Sequence, residues 1–198
     1  MLHDDREIRA AALKAAKDHQ RILDLYRSFS RANNNITYIY SGYENGLLLI
    51  NDYTPPDGYD PTIRPWYQAA MDSRPLTSIG LPYQEIKTGE WLISTSRAFM
   101  GPEGTYEGVV TVDCSISRIA VLLSQHDEYE TAHSFVVNRK GEIILHRDET
   151  LLNMSFPEIK EAVWKGREGK FKYTWNKAEF LAHFKLSLIH ISEPTRPY

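Results

Sequence analysis

From Ile8 to Phe29 the apolar positions Ile8, Ala11, Ala12, Ala15, Ile22, Leu23, Leu25 and Tyr26 recur mostly every three to four residues, with Lys, Asp, Glu and Arg between them. That period predicts a helix with one apolar face. Arg31 to Asn35 ends it, because asparagine tolerates the left-handed conformation that closes helices. At Ile36 the period drops to two. Ile36–Tyr40, a turn over 42–46 and Leu47–Asn51 predict a hairpin. Pro55, Pro56, Gly58, Pro61 and Pro65 then predict an ordered irregular loop, since proline fixes φ and removes a donor. A short helix over Trp66–Met71 opens just after Pro65. Strands are predicted over Ser78–Tyr83 and Trp91–Phe99, joined by the turn Lys87–Glu90, and over Val109–Cys114, entered through Gly101–Gly104 and Gly108. Helical spacing returns over Ile116–Gln125.

Near Tyr129 the pattern starts again. Ser134–Asn138, the turn Arg139–Gly141 and Glu142–His146 read as a second hairpin, echoing Tyr38–Tyr40, Glu44–Gly46 and Leu47–Ile50. A short helix over Phe156–Trp164 and a strand over Gly169–Trp175 follow. Long helix, antiparallel strands, then a second copy begun predict an α+β chain of two modules, over 1–128 and 129–185. Leu186–Tyr198 has no turn joining it to Lys185 and resembles the translation of a transposon-type sequencing adapter. Residues 186–198 are therefore expected to be a non-native tail, and the second module to be cut short.

Composition narrows the function classes. Across 198 residues, 25% are charged and 42% hydrophobic, with a net charge of −3, which excludes the broad basic footprint that nucleic acid requires. One cysteine, Cys114, excludes a disulfide framework or a multi-cysteine metal site. No run of 18 apolar residues spans a membrane, and the charged start Met1–Arg9 has no signal-peptide core.

The chemistry-bearing stretch is Tyr59-Asp-Pro-Thr-Ile-Arg64-Pro-Trp66-Tyr67. Its arginine offers a rigid fork for a carboxylate, and its aromatics pair apolar planes with polar handles, on a loop that proline has already stiffened. The same residues allow a plainer arrangement, with Trp66 plugging the core and Arg64 paired to Asp60 on the surface. Asp113, at a strand end, either binds a ligand cation or caps the helix that starts near Ser115. No histidine shows metal-ligand spacing, and His126, His133 and His146 read as structural or surface residues. Asp60, Glu85 and Asp113 lack a nucleophile motif beside them, so no catalytic residue, cofactor or metal is expected.

These residues resemble the extracytoplasmic double-Cache sensor domains of bacterial chemoreceptors, histidine kinases and cyclic-dinucleotide enzymes. The resemblance runs from about Ile36 to Lys185. It rests on Tyr59-Asp-Pro…Arg64-Pro-Trp-Tyr67, on Pro82-Tyr83…Thr88-Gly89, on the strand ending in Arg97, and on Gly108–Asp113 and Phe135–Ile144. It implies a PAS-like module with a long N-terminal helix, then an incomplete second module nearer the membrane. The family's amino-acid-binding subset carries a Tyr, an Arg five residues later, Trp-Tyr and a downstream Asp. Tyr59, Arg64, Trp66, Tyr67 and Asp113 match it. The resemblance implies that Arg64 and Trp66 hold the carboxylate of a free L-amino acid, and that Tyr59, Tyr67 and Asp113 hold its ammonium. Tyr83 matches a further family position, while Glu85 stands where some members carry Asp. A whole receptor of this kind would be membrane-anchored with this part in the periplasm, and a homodimer is compatible with it. The alternatives are a sensor for another amine or organic anion, and a ligand-free dimerisation or partner-binding module.

Overall fold

The computed structural model describes residues 2–125, 132–138, 140–155, 161, 168–175 and 177–185. They gather into two compact units: the chain up to Gly80 with Ser94–Asp113, and Leu81–Ile93 with the chain from Cys114 onward. The two helix periods and the period-two strands appear in the order predicted, as a mixed helix and antiparallel-sheet fold.

In the first unit, helix α1 runs over Leu2–Ala32, longer at both ends than the apolar stripe alone predicts. It lies against β1 (Ile36–Tyr43) and β2 (Leu48–Ile50), which pair antiparallel with Tyr40 opposite Ile50 and Gly42 opposite Leu48. Asn51 fastens the two layers: its amide donates to the Leu23 carbonyl at 2.7 Å and its oxygen accepts from Arg27 at 3.0 Å. Gly42, predicted to sit in the turn, is instead a strand residue. A Cβ there would lie 2.7 Å from both Pro61 Cβ and Trp66 Cη2, so glycine lets the proline-rich loop and α2 (Pro65–Asp72) close onto β1.

Six strands share one sheet, in the order β2-β1-β6-β5-β3 with β4 also on β5. Here β3 is Thr77–Ile79, β4 Tyr83–Gln84, β5 Trp91–Met100 and β6 Tyr106–Ser115. The single strand expected over 78–83 is thus two. Pro82 has no N–H to give a ladder, and the chain bends through Gly80-Leu81-Pro82 before pairing again as Tyr83 opposite Leu92.

The second unit packs α3 (Ile116–Ser124) on a hairpin of β7 (Val136–Val137) and β8 (Ile143–Leu145). Its core is Ile116, Ala120, Ile143, Leu145, Leu151 and Leu152, with Trp91 and Ile93 against it. Strands β9 (Glu168–Trp175) and β10 (Ala178–Lys185) form a second hairpin in unbroken register, Phe180 opposite Tyr173. β10 is absent from the sequence-based expectation, although half-buried Phe180, Ala182 and Phe184 alternate with exposed Leu181 and His183 as a strand requires. The expected helix over 156–164 and the tail 186–198 lie outside the described residues, apart from Glu161.

Candidate functional site

The buried face of the sheet changes chemistry along its length. On β5 every second residue points inward as Leu92, Ser94, Ser96 and Ala98; on β6 the inward set is Val109, Thr111, Asp113 and Ser115. A core strand would carry branched aliphatics throughout. Here hydroxyls and a carboxylate occupy the middle. Thr111 Oγ1 donates to Ser96 Oγ at 2.9 Å, and one rung further Ser94 Oγ donates to Asp113 Oδ1 at 2.6 Å. The Tyr40 hydroxyl, from β1, donates to the same Asp113 oxygen at 3.4 Å. Asp113 is 2% exposed, so a carboxylate sits deep in the unit, held by donors from strands on either side.

The predicted loop reaches this face through aromatic contacts. Trp66 meets the Tyr40 ring edge-to-face at 5.0 Å, and Tyr67 meets Trp66 at 5.7 Å. Tyr67 also joins the apolar cluster of Ala70, Ala98 and Val109. Tyr40 therefore touches both Trp66 and Asp113. Arg64 lies at the N-terminus of α2, where its carbonyl accepts the first-turn amides of Tyr67 and Gln68 at 3.0 Å. Its guanidinium stacks on the Tyr59 ring, 4.3 Å from the centroid, which fixes the plane of the fork.

Of the plainer arrangement one half is present, since Trp66 packs against the apolar cluster of Tyr67, Ala70, Ala98 and Val109; the surface ion pair is not. Asp60 is engaged with its own turn, accepting from the Thr62 amide at 2.8 Å and hydroxyl at 2.7 Å, and no ion pair joins it to Arg64 among the described residues. Those two donors hold its carboxyl below the usual carboxylate range. Nor does Asp113 cap the following helix: Ser115 does, its Oγ accepting from the Arg118 amide at 3.5 Å. Two polar atoms of the predicted set, Arg64 Nε and the Tyr67 hydroxyl, are buried without a hydrogen-bond partner among the described residues. Burial, then the negative charges of Glu44 and Asp60, push the Tyr67 phenol up.

Tyr83 and Glu85 belong to the second compact unit. Tyr83 is half-buried on β4. Glu85 is committed to its own loop: Oε2 accepts from the Lys87 amide at 3.0 Å, the Thr88 amide at 2.7 Å and the Thr88 hydroxyl at 2.9 Å. Burial works against its charge, but these donors outweigh burial and lower its pKa. The same unit gathers His133 and His146, ring centroids 5.3 Å apart, beside Phe135. His146 Nδ1 accepts from the Asp148 amide at 2.8 Å. Among the described residues, no three His, Cys, Asp or Glu side chains gather as a metal site. Cys114 is half-buried.

The sequence reading passed over Tyr40, Ser94, Ser96 and Thr111. Their signal is the inward phase of Trp91–Met100 and Tyr106–Ser115, which spells Ser, Ser, Thr and Asp where a plain core needs Val or Ile.

A long helix laid on an antiparallel sheet whose buried face turns polar around one carboxylate is the build of a small-molecule-sensing α+β domain. The chain belongs to the Cache domain family, which it matches over residues 2–187. It is 22% identical over 173 residues to the methyl-accepting chemotaxis protein McpB of Bacillus subtilis, covering 87% of this chain and 26% of that protein. It is 31% identical over 108 residues to adenylate cyclase 1 of Rhizobium meliloti, covering 54% of this chain and 16% of that one. The chain thus spans about a quarter or less of these curated relatives. The ligand-binding domain of the Pseudomonas fluorescens chemoreceptor CtaA, solved in complex with L-serine, superposes with a TM-score of 0.59 at 28% identity, over 74% of this chain and 63% of that one. Among the described residues, no helix is long and apolar enough to cross a membrane.

Proposed function

We propose that this chain is the extracytoplasmic ligand-sensing part of a membrane-anchored bacterial signalling receptor, and that it binds a free amino acid by its two charged ends. The observation that carries the reading is the buried Arg64 Nε with no hydrogen-bond partner among the described residues, on the loop that continues into Trp66 and Tyr67. A buried guanidinium nitrogen is costly unless it meets an acceptor, and a carboxylate fits it with two parallel hydrogen bonds. Through Trp66 and Tyr40 the contacts lead from that loop to Asp113, a buried carboxylate that accepts from the Ser94 and Tyr40 hydroxyls. A ligand that is anionic at one end and cationic at the other suits both groups.

In this reading Arg64 and Trp66 take the carboxylate, and Asp113, Tyr59 and Tyr67 take the ammonium. The ligand-binding module is 1–128, supported by the single sheet that joins six strands between Ile36 and Ser115; 129–185 begins the membrane-proximal module. The domain acts by binding and carries out no catalysis. L-Serine in the CtaA domain supports the ligand class.

A thermal-shift screen of the 198-residue chain against the standard L-amino acids tests this, with each binder's deaminated acid and decarboxylated amine alongside. At about 100 times Kd a ligand adds roughly 2.7 kcal/mol and raises the midpoint by a few degrees. Expected is a shift with some amino acids and little with either single-charge analogue. An equal shift with the acids or the amines alone would replace the amino-acid reading with that ligand class, and no shift from a folded sample would remove it.

A further inference from the structure

We infer that Ser94, seconded by Tyr40, is the positioning residue that makes Asp113 a reader of the ligand's ammonium, and so sets the preference for amino acids over plain carboxylic acids. The inference rests on the amino-acid reading above. It adds two residues outside the Tyr59, Arg64, Trp66, Tyr67, Tyr83 and Asp113 set.

The geometry is specific. Ser94 and Asp113 face inward on the neighbouring strands β5 and β6, and Tyr40 faces inward on β1, beside β6 on its other side. All three are buried, at 6%, 2% and 6% exposure for Ser94, Asp113 and Tyr40. Both hydroxyls converge on the same atom, Asp113 Oδ1, the serine at 2.6 Å and the tyrosine at 3.4 Å. A carboxylate held at one oxygen from two sides cannot swing about its χ2 torsion without breaking a charge-assisted hydrogen bond. An ammonium then meets a fixed negative charge at a fixed angle. Tyr40 carries a further constraint, since its ring edge rests on Trp66 while its hydroxyl holds Asp113. It is a spacer between the anion-binding and cation-binding groups.

In this inference the effect of Ser94 passes through Asp113, to which its hydroxyl donates. That separates positioning from general support. Calorimetric titration would use the amino acids that bind the wild-type chain and, for each, the acid lacking its amino group. Ser94→Ala is expected to weaken amino-acid binding about tenfold, the scale of a hydrogen bond to a charged group. The deaminated acid, which does not use Asp113, should bind Ser94→Ala as it binds wild type. Ser94→Thr, which keeps the hydroxyl, should restore amino-acid affinity to within about threefold, and Tyr40→Phe, which keeps the spacer ring, should cost less than Ser94→Ala because its bond is longer. Unchanged affinity in Ser94→Ala would overturn the inference. Equal loss for acid and amino acid, or no rescue by threonine, would reduce Ser94 to a packing residue and overturn it as well. A wild-type chain that binds no amino acid would instead defeat the reading beneath it.

Discussion

Two buried carboxylates, one in each compact unit, look alike in burial and differ in how they are held. Glu85, 8% exposed, takes all three of its donors from Lys87 and Thr88, two and three residues away. Asp113, 2% exposed, takes its donors from residues 19 and 73 positions away on two other strands. A carboxylate fed by its own loop stabilises that loop and has little capacity left for anything else, as at a helix N-cap. A carboxylate that exists only because three strands converge on it is set by the fold as a whole, and the fold bears a desolvation cost that no local turn recovers. The neighbouring groups follow the same division. In the second unit His146 takes the Asp148 amide and Asp148 takes Thr150, each a local pairing. In the first unit Arg64 Nε and the Tyr67 hydroxyl, like Thr37 Oγ1 and Ser41 Oγ, have no hydrogen-bond partner among the described residues. Polarity that the chain satisfies within a few residues is architecture; polarity left open in the interior is where a ligand is expected.

The comparison breaks most sharply at Arg64. Replacing it with alanine should weaken amino-acid binding by about 2–5 kcal/mol, the range for removing one partner of a buried hydrogen-bonded charge pair. The fold should tolerate the change, because Arg64 stacks on half-buried Tyr59 and makes no ion pair among the described residues. Calorimetry and a melting curve on the same sample separate the two effects. Wild-type affinity in Arg64→Ala would mean that the unpartnered nitrogen has no ligand to meet, and open polarity would lose its meaning as a marker.

Glu85 supplies the converse, at a smaller scale. Glu85→Ala strands the amides of Lys87 and Thr88 and should lower stability by about 1–2 kcal/mol, as loss of a capping side chain does. Amino-acid affinity should stay within about twofold. A denaturant midpoint that falls with binding intact sharpens the division between the two carboxylates. A binding loss larger than the stability loss would move Glu85 into the ligand site and blur it.

How much of this the sequence disclosed follows the same line between local and distant. Periods of 3.6 and 2 placed α1, the first hairpin, β5, β6, α3 and the second hairpin, because each element's apolar face is a pattern of near neighbours. Gly42 misled as a turn residue: its reason for being glycine is the approach of Pro61 and Trp66, which are close only in the folded chain. The residue types and the prolines mark Arg64 and Trp66 in sequence, whereas Asp113 reads either as ligand group or as helix cap there; in the fold the cap is Ser115. Ser94 and Tyr40 escaped for the reason that gives them interest. Nothing in Trp91–Met100 says that Ser94 faces an aspartate 19 residues on; only the register of β5 on β6 does.

The smallest expected effect lies in the second unit and tests whether local satisfaction has a limit. Burial first, and then the His133 ring, lower the pKa of His146 from the usual histidine range; Arg147 adds to them, while Asp148 acts the other way. Its Nδ1 accepts the Asp148 amide, which only an unprotonated nitrogen can do. Protonation would break that bond, leaving Nδ1–H only the Asp148 carbonyl at 3.2 Å, and place a cation against Phe135 and His133. The unfolded chain, where the imidazole has its ordinary pKa near 6.5, therefore binds the proton more readily than the folded one. By linkage the stabilisation is complete above about pH 6.5 and drains away as pH falls from there toward the folded-state value. The carboxyls of Glu85 and Asp148 are lowered in the fold, so their own contributions fade only at more acid pH, below about 4.5. Between these limits His146 should account for the slope. Denaturant midpoints at pH 7.5 and 5.0 should differ in the wild-type chain and converge in His146→Gln, whose amide oxygen can still accept from Asp148 but cannot titrate. An equal acid slope in the variant would place the titrating group elsewhere, and the second unit would no longer be the region whose buried polarity is settled by its neighbours.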